Sequence, residues 1–283
     1  MTQARRQVKA NRVRRELAPG QSPALLKALH LLTREGNLNA DSLRKLKQVN
    51  HLVGLLTPAL EDAFERFPQA TLVDVGSGNA YLGFILYELF FQGREAGEVV
   101  SIETRADLVA RAVERAKGLS FTRMRFLEGA IEKAAYPERV HVLTALHACD
   151  TATDDALFVA ISKGVDHVAV VPCCQAEVAQ QLKDARPKVE SAVGTLFQHP
   201  WHRREFGSHL TNVVRALALE ANGYQVTVTE LAGWEHSLKN ELILGRRVHK
   251  ESREAKAKLE ALLAATGVRP KLIRLLEGGP NAA

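Results

Sequence analysis

Residues 72–83 read Leu72-Val73-Asp74-Val75-Gly76-Ser77-Gly78-Asn79-Ala80-Tyr81-Leu82-Gly83. The pattern is a buried strand, then a glycine turn, then the start of a helix. Gly76 and Gly78 let the backbone approach a ligand closely and adopt conformations that a side chain disfavours. The first turn of the following helix offers unpaired N–H groups. A dinucleotide fingerprint wants a third glycine at position 81, where Tyr81 crowds the space a pyrophosphate needs. Asp74, two residues before the first glycine, is also unsuited to phosphate. It suits a cation such as an amino group.

Outward from this turn, short apolar runs alternate with helical stretches. Strands are predicted at 71–75, 98–102, 124–128, 140–146, 167–171, 224–230 and 241–246. Helical patterns at 80–91, 106–117 and 154–162 separate the first five, with a short connection at 131–136. Such alternation implies an α/β fold, a parallel sheet with helices on both faces. The last two strands are separated only by residues 231–240, too short for a helical crossover, so they should form an antiparallel hairpin. Upstream, three helices are predicted. The first starts at Ser22-Pro23, the second at Asp41 and the third at Thr57-Pro58. Residues 249–265 form a charged helix, and Gly278, Gly279 and Pro280 close the chain. The expected organisation is a basic arm (1–20), a helical extension (21–70), a main domain (71–248) and a charged helix with its tail (249–283).

The second strand ends at Glu103, 25 residues beyond Gly78. A carboxylate there accepts hydrogen bonds from both hydroxyls of a ribose. The third strand ends at Glu128-Gly129-Ala130-Ile131, where a small and an apolar residue suit the faces of an adenine. An amino-acid end near Asp74, a ribose near Glu103 and an adenine near Ile131 describe S-adenosylmethionine. With these residues on the page, the stretch 71–246 resembles the class I S-adenosylmethionine-dependent methyltransferases. The resemblance implies a Rossmann-like seven-stranded sheet in the order 3-2-1-4-5-7-6, its last strand antiparallel. It implies a cofactor site of Asp74, Gly76, Ser77, Gly78, Tyr81, Glu103, Ala130, Ile131 and Leu146. The family usually has glycine where Asn79 or Ala80 stands.

A second cluster falls at the ends of strands four and five. Strand four runs out as Ala145-Leu146-His147-Ala148-Cys149-Asp150-Thr151-Ala152-Thr153-Asp154, and strand five as Val170-Val171-Pro172-Cys173-Cys174-Gln175. Ligands of open α/β sheets bind beyond the carboxyl ends of the strands. Four roles stand open for these residues. His147, Cys149, Cys173 and Cys174 supply the ligand count of a zinc site, though without CxxC spacing, and no metal is expected. A cysteine nucleophile needs a nearby cation to activate it. His147 or Asp150 is the candidate general base for a hydroxyl or amine. The fourth role is simply to shape the donor pocket and pack.

These two elements are similar to a narrower subgroup. It contains the acceptor-stem tRNA ribose 2′-O-methyltransferases and the methyltransferase domain of the glutathione S-transferase C-terminal domain-containing protein. Asp150 stands where glycine is common there, and Gln175 where histidine is. The stretch Glu235-His236-Ser237-Leu238-Lys239-Asn240-Glu241 resembles the subgroup's element before the final strand. No Asn/Asp-Pro-Pro-aromatic element follows strand four, which shifts weight from an exocyclic base nitrogen towards oxygen or another acceptor.

Charge locates a further feature. Arg5, Arg6, Lys9, Arg12, Arg14 and Arg15 are unopposed by any acid in residues 1–15, and the rest of the chain carries 32 basic against 32 acidic residues. The net +6 therefore belongs to the arm, which either attracts phosphate chains, is a solvated terminus, or is a transit peptide. Residues 175–211 interleave Arg186, Lys188, His199, Trp201, His202, Arg203, Arg204 and Phe206, a mixture that stacks on and neutralises nucleic acid or else simply covers the donor. The candidate substrate residues are Cys173, Cys174, Trp201 and Arg203. With three cysteines, no transmembrane run and no secretory signal, a cytoplasmic protein is expected. The reading is a methyltransferase acting on RNA. The alternatives are a small-molecule or protein methyltransferase, or a non-catalytic module that binds donor or RNA.

Overall fold

The computed structural model describes residues 16–33, 35–146, 148, 150–172, 176–185, 192–231 and 241–278. Its strands are β1 (Thr71–Val75), β2 (Glu98–Glu103), β3 (Met124–Glu128), β4 (Val142–Ala145), β5 (His167–Val170), β6 (Tyr224–Glu230) and β7 (Glu241–Arg247). They form one seven-stranded sheet in the order β3-β2-β1-β4-β5-β7-β6. β7 runs antiparallel to both β5 and β6, as the short final connection requires. Every residue of β1, β4 and β5 is buried, the signature of strands covered on both faces. The chain divides into two compact units between Ala130 and Ile131, with Leu231 rejoining the first.

The first unit holds α1 (Pro23–Ala28), α2 (Ala40–Arg66), β1, α3 (Tyr81–Leu86), β2, α4 (Ala106–Gly118) and β3. The sequence predicts a break at Thr57-Pro58, but α2 runs unbroken through it. Pro58 has no N–H to donate to Gly54, a loss of roughly 3 kcal/mol in a helix interior. The buried stripe Leu46, Val53, Leu56, Leu60 and Phe64 keeps its phase across the proline, and this burial outweighs the loss. Thr57 Oγ1 also donates to the Val53 carbonyl at 2.8 Å. α3 widens at Tyr87–Phe91 into a π-helical turn. Arg123 terminates it, donating to the carbonyls of Phe91, Arg94, Ala96 and Gly97 at 2.6–2.8 Å. The turn also packs aromatic rings, with Phe64–Phe91 centroids 4.9 Å apart and Tyr87–Phe121 4.6 Å.

The second unit holds β4, α5 (Thr151–Lys163), β5, α6 (Glu177–Ala185), α7 (Pro200–Ala221), β6, β7, α8 (Arg253–Thr266) and α9 (Lys271–Gly278). α7 begins at the Pro200 of a His-Pro start, inside the basic and aromatic stretch 175–211. Trp201 and Arg203 are therefore helical and not parts of a loop. α9 was not anticipated. It docks through Lys271, whose Nζ lies 2.7 Å from Asp155, and through Arg274 Nη1, which donates to Glu177 at 2.7 Å. No helix among the described residues is long and apolar enough to cross a membrane.

Candidate functional site

In the first unit the turn between β1 and α3 is built by backbone conformation. Gly76 and Gly78 sit at φ 60° and 57°, where a side chain is strained. A Cβ on Gly78 would meet only Arg105 Nη2, at 3.9 Å, so the space above the turn is open as well. Ala80 holds φ 56°, ψ 29°, a left-handed conformation that costs a non-glycine residue about 1–2 kcal/mol. That conformation explains why a glycine is usual at this place. Ala80 N–H donates to the Ser77 carbonyl at 2.8 Å and closes the turn. Gly76, Ser77, Gly78 and Asn79 stay half-buried, and Tyr81, the first residue of α3, is 37% exposed.

Glu103, at the end of β2, faces this turn. Its Oε2 accepts the Gly78 N–H at 2.7 Å, and Oε1 accepts the Arg105 backbone N–H at 3.1 Å and Arg105 Nε at 3.2 Å. Burial pushes the carboxyl up, but the N–H groups of Arg105 and Gly78 outweigh it and hold Glu103 below the ordinary glutamate value. Thr104 Oγ1 also donates to Oε1 at 3.2 Å, so Oε1 has three donors and Oε2, with Gly78 N–H alone, is the oxygen with room for a further one. The β3 exit comes to the same place, since Gly129 N–H donates to the Glu103 carbonyl at 3.0 Å. Ala130, half-buried, ends this unit, and buried Ile131 opens the next.

Asp74 is 2% exposed and pairs in register with Ser101 of β2, beneath α3. A Cβ at Gly83 would lie 3.0 Å from Ser101 Oγ and 3.7 Å from Asp74 Oδ2, so a side chain there would make Ser101 give by a few tenths of an ångström. Asp74 is thus buried beneath α3, beside Gly83. The turn thus combines open space over Gly78 with an ionised carboxylate beside it, a chemistry that fits S-adenosylmethionine.

In the second unit, Leu146 is half-buried at the exit of β4. His147, Cys149, Cys173 and Cys174, with Gln175 and the stretch 235–240, lie outside the described residues, and so does the zinc alternative they would supply. Asp150 is described. It holds φ 51°, ψ −119°, a glycine-type conformation, which accounts for glycine being common at this position in the resembling subgroup. Its Oδ1 accepts the Ala176 N–H at 3.1 Å and so ties the β4 exit to the β5 exit.

Beneath Asp150 lies a network the sequence did not announce. Arg215 of α7 is 1% exposed. Its Nε donates to Asp154 Oδ1 at 2.9 Å, and its Nη2 to Asp154 Oδ2 at 3.1 Å and to the Asp150 carbonyl at 2.7 Å. Nη1 donates to Asn212 Oδ1 at 3.2 Å, and Asn212 passes a bond to Glu241 of β7. Burial pushes the Asp154 carboxyl up and Arg215 pulls it back. The Thr153-Asp154 pair is therefore structural: Thr153 Oγ1 donates to the Ala148 carbonyl at 2.5 Å. The available signal was Arg215 itself, a charge in phase with the buried positions Leu210, Val214 and Ala218 of one helix.

Trp201, in the first turn of α7, is 60% exposed, and the Arg204 guanidinium stands 4.4 Å from its ring centroid. Arg203 turns the other way and donates to the Phe197 carbonyl at 3.4 Å. Leu196 is 53% exposed, and the His199 and His202 rings meet edge-on at 5.5 Å.

Residues 44–181 match a family model described as a methyltransferase domain. The glutathione S-transferase C-terminal domain-containing protein of Xenopus laevis is 27% identical over 231 residues, 75% of this chain and 36% of that protein. Its human counterpart is 28% identical over 232 residues, 75% of this chain and 35% of that protein. The chain thus spans about a third of the length of these curated relatives. Among solved structures, an SAH-bound methyltransferase of Podospora anserina is 13% identical with a TM-score of 0.48, covering 88% of this chain and 97% of that one. The matched residues carry the glycine turn and the β2 carboxylate, so over this stretch the chain is similar to a methyltransferase domain.

Proposed function

We propose that the chain methylates RNA, a tRNA or rRNA, from S-adenosylmethionine, with residues 71–248 as the domain that does so. The observation that carries the acceptor class is the exposed Trp201 indole with Arg204 over its ring. The exposed indole offers a base a stacking surface, worth about 1–3 kcal/mol per stacked base, next to Arg204, whose Nε also pairs with Glu205 at 3.1 Å. The basic residues of the arm, 1–15, support the same acceptor.

When bound, S-adenosylmethionine supplies a methyl group on a sulfonium centre, open to in-line displacement by an acceptor lone pair. The Gly76–Gly78 turn and Asp74 would hold the amino-acid end, and Glu103 would accept a hydrogen bond from the ribose. His147 or Asp150 takes the acceptor proton. Orientation supplies most of the rate. A cytoplasmic setting belongs to the same proposal, on the low cysteine content.

The even charge of the chain beyond the arm favours a second reading, a small-molecule or protein acceptor. Mass spectrometry of nucleosides from cells lacking the protein separates the two. Loss of one methylated nucleoside supports RNA. An unchanged nucleoside profile, with donor binding intact in the purified protein, moves the assignment to the second reading.

A further inference from the structure

The geometry points to Arg115 as a positioning residue that braces the glycine turn against an N-terminal strap, residues 16–33. Donor binding then depends on a segment that precedes the matched family residues. The inference rests on the donor reading of this turn.

The turn asks for a brace. Ala80 holds a left-handed conformation without being glycine. Arg115 Nη1 donates to the Asn79 carbonyl at 3.1 Å. That carbonyl belongs to the peptide whose N–H is Ala80's, so holding it fixes the whole plane and aims the Ala80 N–H at Ser77. The same guanidinium donates through Nε to the Ala28 carbonyl, at the end of α1, at 3.2 Å. Its carbon stands 5.4 Å from the centroid of Phe84 in α3. One planar fork therefore spans α1, the turn and α3, a task that a lysine's single ammonium cannot reproduce.

The strap is itself anchored. α1 has six residues, too few to be stable alone, so docking provides its order. Ser22, its N-cap, donates through its backbone N–H to Glu88 Oε2 at 3.0 Å and through its hydroxyl to Glu88 Oε1. Glu88 lies in the π turn that continues α3. Leu25, Leu26 and Leu29 are at most 1% exposed. Gln21 Nε2 donates to Asn50 Oδ1 at 2.7 Å, and Asn50 Nδ2 to the Glu16 carbonyl at 3.1 Å, which binds the strap to α2. Glu88 at one end of α1 and Arg115 at the other thus join the strap to the helix that leaves the glycine turn.

The test uses the full chain and S-adenosylhomocysteine as the calorimetric probe. Arg115→Met keeps the apolar stem and removes the fork. It should weaken binding roughly tenfold, the value of a charge-assisted hydrogen bond or two, and speed amide exchange at residues 77–81. Ala80→Gly removes the need for a brace. It should leave the wild type within twofold and restore most of the affinity of Arg115→Met. Arg115→Lys, the milder change, should fall on the side of Arg115→Met and serves if that variant does not fold. Wild-type affinity and unchanged exchange in both Arg115 variants would overturn the inference, as would failure of Ala80→Gly to restore binding. If the wild type itself does not bind the probe, the donor reading fails, and amide exchange still decides whether Arg115 braces the turn.

Discussion

Glu103 reaches back from the end of β2 to accept the Gly78 N–H at 2.7 Å, so one carboxylate both shapes the glycine turn and presents its remaining lone pairs above it. Glu103→Ala removes both contributions and should weaken donor binding by roughly tenfold or more, each charge-assisted bond being worth about 1.5–3 kcal/mol. Asp74→Ala should reach a similar loss by a different route. Asp74 is buried under Gly83, so a lowered melting temperature should accompany the lost affinity. Calorimetry and thermal unfolding on the two variants separate the cases.

The same carboxylate sets an acid limit. Its folded value lies below the ordinary one, so its ionised form stabilises the fold. That contribution is complete above the ordinary glutamate value and is lost as pH falls through the depressed one. Stability measured from neutral towards pH 3 should therefore fall less steeply in Glu103→Gln than in the wild type. Parallel curves would remove Glu103 from the acid limit.

Arg215→Met should be among the costliest single changes in the chain, about 3–5 kcal/mol, because it strands the Asp154 carboxylate in the interior. Asp154→Asn added to it should recover part of the loss. Denaturant titration of the single and double variants reads the difference, and equal midpoints would show that burial of the charge is not the cause.

Asp150 is both a candidate base and the acceptor for Ala176. Asp150→Asn keeps an acceptor oxygen and loses the base. Asp150→Gly relaxes the backbone and loses both. If Asp150 removes the acceptor proton, both variants should lose methyl transfer by roughly a hundredfold or more. Activity in Asp150→Asn with loss in Asp150→Gly assigns the residue to loop tethering and leaves His147 as the base.

Deleting residues 1–15 should remove most non-specific RNA affinity and leave donor binding unchanged. Six cations neutralise at most six phosphates, so the slope of log affinity against log salt should fall by up to ~4 for single strands, at ~0.7 per phosphate. Trp201→Ala should cost a further 1–3 kcal/mol or so with little change in slope, since stacking carries no charge. Filter binding across a salt series checks both.

β1 was legible because a parallel strand buried on both faces makes a compact apolar run, and it begins and ends where that run does. β3 and β6, at the two edges of the sheet, keep their expected ends although most of their residues are not buried. The glycine turn was legible for a similar local reason, because positive φ selects glycine at two of its positions. What escaped was set by distant partners. Pro58 reads locally as a helix start, and only the stripe packed on both sides of it keeps α2 whole. Residues 271–278 read as a tail until Lys271 and Arg274 find Asp155 and Glu177. Arg115 and Arg215 look like ordinary helix cations, and their work depends on carbonyls and carboxylates from far along the chain.

β7 lies between β5 and β6, although β6 precedes it in the chain. On the ribosome, β5 therefore emerges with one flank that its neighbour in sequence cannot fill. β6 has no place in the sheet until residues 241–247 arrive to pair with both. During that interval the backbone groups of 167–170 form an open edge on apolar residues, the kind of surface that recruits other chains. An interval with an open apolar edge is thus built into the strand order, and it closes when the last strand enters the gap.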